Sequence, residues 1–182
     1  MAHSVKYDEQ KLKELIVYIS AQNNLSDKYG MTKLNKLLFF SDFTAYARTG
    51  RAITGATYIK MPYGPVPEAI QTATAELKRE SRVFTQKLTL GEREGSRLVA
   101  VYDANLEGFS GEEIAIVDEI IKRYWDLTGA QISDISHGFI GWGMALDREK
   151  IPYFTVMVPD QPRIPSAADM AEAKRRAAIL FG

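Results

Sequence analysis

The chain has 182 residues, enough for one domain that buries roughly 70% of its unfolded surface, so a self-sufficient core is expected. Lys and Arg total 23 and Asp and Glu also total 23, which removes the global pull toward polyanions on which non-specific nucleic-acid binders rely. Cysteine is absent, which excludes disulfide frameworks, zinc ribbons, thiol redox chemistry and cysteine nucleophiles, and fits a reducing cytoplasm.

The first residues, Met1-Ala2-His3-Ser4-Val5-Lys6, contain no apolar stretch followed by a small-residue cleavage site, so no export is expected. No apolar run approaches the ~18 residues of a membrane span. Leu12, Leu15, Ile16 and Ile19 recur with helical spacing behind Asp8 and Glu9, which predicts an amphipathic first helix ended by Asn23 and Asn24. Thr32 is a candidate cap for a second helix. Its apolar set, Leu34, Leu37, Leu38, Phe39, Phe40 and Phe43, is wide enough for a central, buried position, and Gly50 suits its left-handed end.

Ile53 to Tyr63 is rich in Thr, Tyr and Ile and reads as extended. Gly64-Pro65-Val66-Pro67 then reads as a turn opening a helix from about Pro65 to Arg79. Val83 to Tyr102 reads as a hairpin, reversed at Gly91-Glu92-Arg93-Glu94-Gly95. Ser110 with Glu113 forms a capping box ahead of a stripe of Ile114, Val117, Ile121 and Trp125. Thr128 with Gln131 repeats the device for a helix carrying Ile132, Ile135 and His137, which ends in the glycines of Gly138 to Gly143. After Val158, Pro159, Pro162 and Pro165 punctuate a linker, and Ser166 starts a final alanine-rich helix. The expected architecture is mainly α-helical α+β: one domain over residues 1–158 with a central hairpin, then a linker and appended amphipathic helix over 159–182.

Catalytic candidates are few. Histidine occurs only as His3 and His137. Asp134 stands three residues before His137, with Ser133 and Ser136 beside it, which superficially resembles part of a triad, but a nucleophile normally comes from a different element. A structural role for His137, and no catalytic residue, is the expectation. One credible histidine and scattered carboxylates give no metal site, and the G-x-x-G-x-G around Trp142 follows no strand, so neither metal nor cofactor is expected. Lys33, Lys36, Arg48, Arg51 and Lys60 form a candidate basic face, and a hairpin after a helix pair is the arrangement of a winged helix, which makes a DNA-binding repressor the alternative reading. On the last helix Met170, Leu180 and Phe181 share one side, able to pack on the domain or in a partner's groove.

Two ordered blocks carry a family resemblance. Lys33-Leu34-Asn35-Lys36-Leu37-Leu38-Phe39-Phe40-Ser41-Asp42-Phe43, then Thr49-Gly50-Arg51 and Tyr63-Gly64-Pro65-Val66-Pro67, together with Ile132 to His137 and Trp142, closely resemble the signature of the Panacea domain, the SocA-like antitoxins also called phage-associated GepA proteins. The resembling residues are Leu37, Gly50, Gly64, Pro65, Val66, Ser133, His137 and Trp142. Ser41, where family members often have alanine, and Gly141, where they often have proline, depart from the pattern. The resemblance spans about Tyr7 to Phe154 and implies an antitoxin that neutralises a neighbouring toxin by direct contact; a SocA-like member also delivers its toxin to a protease. A cognate toxin, with a protease as a further partner, is therefore expected, in the cytoplasm and away from membranes. Lys33, Lys36, Asp42 and Tyr63, with Met170, Leu180 and Phe181 on the tail, are the candidate partner-binding residues.

Overall fold

A computed structural model describes residues 5–90 and 93–158. The expected linker and final helix, with Met170, Leu180 and Phe181, lie outside the described residues.

Helix α1 (Glu9–Gln22) begins where Asp8 accepts the Lys11 amide at 2.9 Å, and its four predicted apolar positions are fully buried. Asn23 ends it, donating its side-chain amide back to the Ile19 carbonyl. Helix α2 (Met31–Thr49) starts before Thr32 could cap it. Its cap is Gly30, which makes no side-chain hydrogen bond, and a Cβ there would lie 3.3 Å from the Ser96 carbonyl oxygen, so close backbone packing decides this end instead of a hydroxyl. Gly50 closes α2 at φ +73°, the left-handed angle that glycine adopts without strain.

The extended segment shrinks to β1 (Tyr58–Ile59), the middle strand of a small antiparallel sheet with β2 (Val66–Pro67) and β5 (Lys150–Ile151). The prolines therefore do not open a helix. Pro67 sits on an edge strand, where its missing amide proton costs no ladder bond, and Glu68 extends the pairing by donating to Thr57 at 2.8 Å. Helix α3 starts only at Ile70 and runs to Arg79.

Strands β3 (Val83–Leu90) and β4 (Arg93–Ala100) form the hairpin in unbroken register, from Val83 opposite Ala100 to Leu90 opposite Arg93. The strands run further than expected: Gly95 pairs with Leu88 inside the ladder and is not part of the reversal. Val83 and Leu98 anchor one face of the hairpin in the core.

Both capping boxes are present, at Ser110 for α4 (Gly111–Arg123) and at Thr128 for α5 (Gly129–His137). The buried side of α4 is Ile116, Val117, Ile120 and Ile121, rotated from the expected stripe; Ile114 is half-buried and Trp125 lies beyond the helix, exposed. On α5, Ile132 is buried but Ile135 faces solvent. The glycine-rich stretch holds a short helix, α6 (Ile140–Met144), and a 3-10 turn follows at Tyr153–Met157. A Cβ on Gly141 would collide with Thr155 Oγ1, so α6 and the 3-10 turn approach as closely as glycine allows.

Helix α2 is the axis of the domain, in contact with α1, α4, α5 and the 3-10 turn. Its Phe39 and Phe43 pack against Tyr58, Phe139 and Tyr153, with Phe43 stacked on Tyr153 at 4.5 Å between ring centroids. Being surrounded explains why its apolar set is so broad. Among the described residues no helix is long and apolar enough to cross a membrane.

Candidate partner-binding site

The loop joining β1 to β2 is gripped from three directions. From α2, the Lys36 ammonium donates to the Pro65 carbonyl at 2.9 Å. From α5, Ser133 Oγ donates to the Tyr63 carbonyl at 2.6 Å. From α6, Trp142 Nε1 donates to the Met61 carbonyl at 3.3 Å. Gly64 lies at the centre with φ +91°, and a Cβ there would collide with Ser136 Oγ and crowd Lys36 Cε. Only glycine satisfies both the angle and the space.

Trp142 ties the loop to the end of α5. His137 stacks on it at 4.2 Å, and the Lys60 ammonium sits 4.2 Å from its ring centroid, a cation–π contact worth on the order of 1 kcal/mol. Lys60 also donates to the Ala145 carbonyl at 3.0 Å, fixing the chain just beyond α6. The one large side chain this clamp leaves outside is Tyr63, 75% exposed. Met144 and Leu146, each 70% exposed, flank the Ala145 carbonyl that Lys60 holds.

Lys36 is 1% exposed, and burial pushes its pKa down to about 7. Lys33 is buried too and donates to the Trp125 and Leu127 carbonyls at 2.7 and 2.8 Å, just past the end of α4, where a helix leaves carbonyls without internal partners. Burial lowers its pKa, with nearby Lys28 adding to the effect. Asp42 is wholly enclosed: it accepts from the Thr54 amide at 2.7 Å, the Thr54 hydroxyl and the Tyr58 hydroxyl at 2.8 Å. Burial raises its pKa in spite of these donors.

A family model described as "Antitoxin SocA-like, Panacea domain" matches residues 34–143, more than half of the chain. The chain belongs to the SocA-like antitoxin, Panacea domain family. No curated protein and no solved structure matches it.

The Panacea match covers both signature blocks except Lys33, which stands one residue before it, and the fold brings them together: Ser133 bonds to the Tyr63 carbonyl, Ser136 lies against Gly64, and Trp142, on which His137 stacks, bonds to the Met61 carbonyl. Leu37 is core and Gly50 closes α2. Of the candidate partner-binding residues within the described part, only Tyr63 stands on the surface. Lys33, Lys36 and Asp42 are interior, since each has found hydrogen-bonding groups far along the chain. The basic face consequently does not assemble: Lys33 and Lys36 are buried and Arg48 is paired with Glu119 at 2.7 Å. The serines are not poised toward His137. Ser133 gives its proton to Tyr63, Ser136 gives its to the Ser133 carbonyl at 2.6 Å, and His137 Nε2 is buried with no hydrogen-bond partner among the described residues. No group of three or more potential metal ligands occurs among the described residues. Met144, Leu146 and the clamping role of Lys60 were missed by sequence reading; the glycines on either side of Trp142 were their only local signal.

Proposed function

We propose that this Panacea-family chain is an antitoxin that neutralises a cognate toxin by direct protein contact, without a reaction of its own, and that the toxin docks on the surface around Tyr63. The observation that carries this reading is the clamp. Three buried or half-buried side chains from three helices hold the loop by its carbonyls, yet its tyrosine is left in solvent. A rigidly presented aromatic with apolar neighbours is the usual make-up of an interface hot spot, because little side-chain or loop entropy remains to be lost on binding. Met144 and Leu146 supply the apolar surroundings, and Met170, Leu180 and Phe181 are additional contacts read from the sequence. Delivery of the bound toxin to a protease is a finer form of the same role.

The test is co-expression with the product of the adjacent gene in a growth assay. Wild-type chain restores growth, and Tyr63→Ala, folded as judged by an unchanged melting temperature, restores it poorly. Persistent arrest with both proteins expressed, or full rescue by Tyr63→Ala, refutes the antitoxin role or the site respectively. His137→Ala in a folded domain keeps neutralising if no hydrolysis is involved. A toxin half-life shortened by the antitoxin in a pulse-chase supports the adaptor role.

A further inference from the structure

Among the described residues, Ser81 and Arg148 are the two that hold a left-handed backbone angle without being glycine. The place of Ser81 accounts for its angle: it follows α3, where its own amide and that of Arg82 close the helix on the Lys78 and Leu77 carbonyls. Arg148, at φ +62°, ends no helix. It is the third residue of a turn from Leu146 to Glu149, closed by the Glu149 amide on the Leu146 carbonyl at 3.0 Å. Arg148 and Glu149 together face Lys60, just past β1. The Arg148 amide donates to the Lys60 carbonyl at 3.0 Å, and the Lys60 amide donates to the Glu149 carbonyl at 2.8 Å. Two residues opposite one, the first of them left-handed, make the bulge whose first residue is ordinarily glycine. Arginine there bears a steric cost that glycine would not.

The rest of the turn is firmly built. Lys60 Nζ holds the Ala145 carbonyl, and Glu149 Oε2 accepts from the Leu146 amide at 2.8 Å. The arginine side chain takes no part in this. It is 80% exposed, and its one ion-pair partner among the described residues is the neighbouring Asp147, at 4.0 Å. We propose that Arg148 is a recognition residue, held at this angle to present its guanidinium to a carboxylate-bearing face of the toxin that docks around Tyr63. This rests on the toxin-binding reading above and adds the chemistry of the partner. A side chain that costs the fold and gains little within it is accounted for by a contact outside it. The bulge is fastened to Lys60, a member of the clamp three residues before Tyr63, and Leu146, which opens the turn, is one of the exposed apolar side chains of the docking surface. A guanidinium at the rim of an apolar patch recognises a carboxylate through two parallel hydrogen bonds, and a rim charge acts chiefly on association rate and on the choice of partner.

The test is the kinetics of binding between the full chain and the product of the adjacent gene at low and physiological ionic strength, alongside thermal melts. Arg148→Gly melts no earlier than wild type, because glycine adopts the angle freely, yet its affinity falls by roughly fivefold or more. Arg148→Lys keeps part of the affinity and Arg148→Glu loses more than Arg148→Gly does. Salt slows wild-type association more than that of Arg148→Gly. Toxin binding by Arg148→Gly and Arg148→Glu as tight as by wild type overturns the inference, and if Tyr63→Ala is impaired in the same assay the docking site stands without it. A melting temperature lowered in Arg148→Gly also overturns it, since the arginine would then serve the fold. No binding by wild type sinks the toxin-binding reading itself, and this inference with it.

Discussion

Lys36 makes the domain's stability depend on pH in a direction opposite to that of an ordinary ion pair. In the unfolded chain its ammonium titrates near the ordinary lysine value of 10.5, and in the folded domain burial brings it to about 7. Between those values the unfolded state binds more protons, so stability rises with pH through that window and the full cost of the buried charge is felt below pH 7. A tenfold change in proton affinity corresponds to about 1.4 kcal/mol. Since the folded group is still half protonated at pH 7, the gain between pH 7 and pH 9 is about 2 kcal/mol. Lys33 shifts in the same direction, and Asp42, raised by burial, works in the opposite sense. The informative quantity is therefore the difference between wild type and Lys36→Met, which keeps most of the side-chain length without the charge. Urea unfolding at a series of pH values measures it, provided the slope with denaturant stays constant. Lys36→Met is as stable as wild type or more so at pH 6, and falls behind by about 2 kcal/mol as the pH goes from 7 to 9. Parallel stability curves for the two proteins would mean that the amine is solvated in the folded state and does not hold Pro65 from within the core.

Gly64→Ala introduces a methyl group against Ser136 and Lys36 at a positive φ and lowers stability by about 2 kcal/mol, readable by the same urea titration. Asp42→Ala strands the Thr54 and Tyr58 donors in the core and costs about 3 kcal/mol, whereas Asp42→Asn, which keeps an acceptor, costs less. Trp142→Ala removes the stack with His137 and the seat of Lys60; it speeds amide exchange in the loop from Met61 to Gly64 and weakens toxin neutralisation along with it. Tyr63→Ala changes stability by no more than about 0.5 kcal/mol, being exposed, while reducing toxin affinity in a pull-down.

What the sequence disclosed was mainly what is decided within one turn of chain. Ser110 and Thr128 cap helices because their partners lie three residues away, and Gly50 ends α2 through its own backbone angle. The errors are of longer range. Lysines at positions 33 and 36 read as the solvated edge of a helix because their partners, the Trp125, Leu127 and Pro65 carbonyls, are 92, 94 and 29 residues away. The tight packing of Gly30 against β4, which moved the start of α2, is likewise a tertiary contact. Even the prolines misled for this reason: their fit to the first turn of a helix is a local preference, overridden when β1 offered Val66 and Pro67 a strand to pair with.

The same distinction separates the side chains that grip the loop from those proposed to meet a partner. Lys36, Gly64, Ser133 and Trp142 lie in or against the core and act on backbone atoms, so the grip on the loop is indifferent to the side chains the loop displays. The side chains of Tyr63, Met144 and Leu146 make no part of that grip and can differ without loosening it. A scaffold that fixes carbonyls and leaves side chains outward suits the proposed binding role, because affinity can be altered at the rim with almost no cost in folding. That division gives a quantitative expectation. Substitutions at Tyr63 and at Trp142 combine additively in stability, and in toxin affinity the loss from Tyr63→Ala becomes much smaller once Trp142→Ala has released the loop, since a tyrosine no longer held in place has little left to contribute. Equal affinity losses from Tyr63→Ala in both backgrounds would place the binding energy elsewhere on the domain.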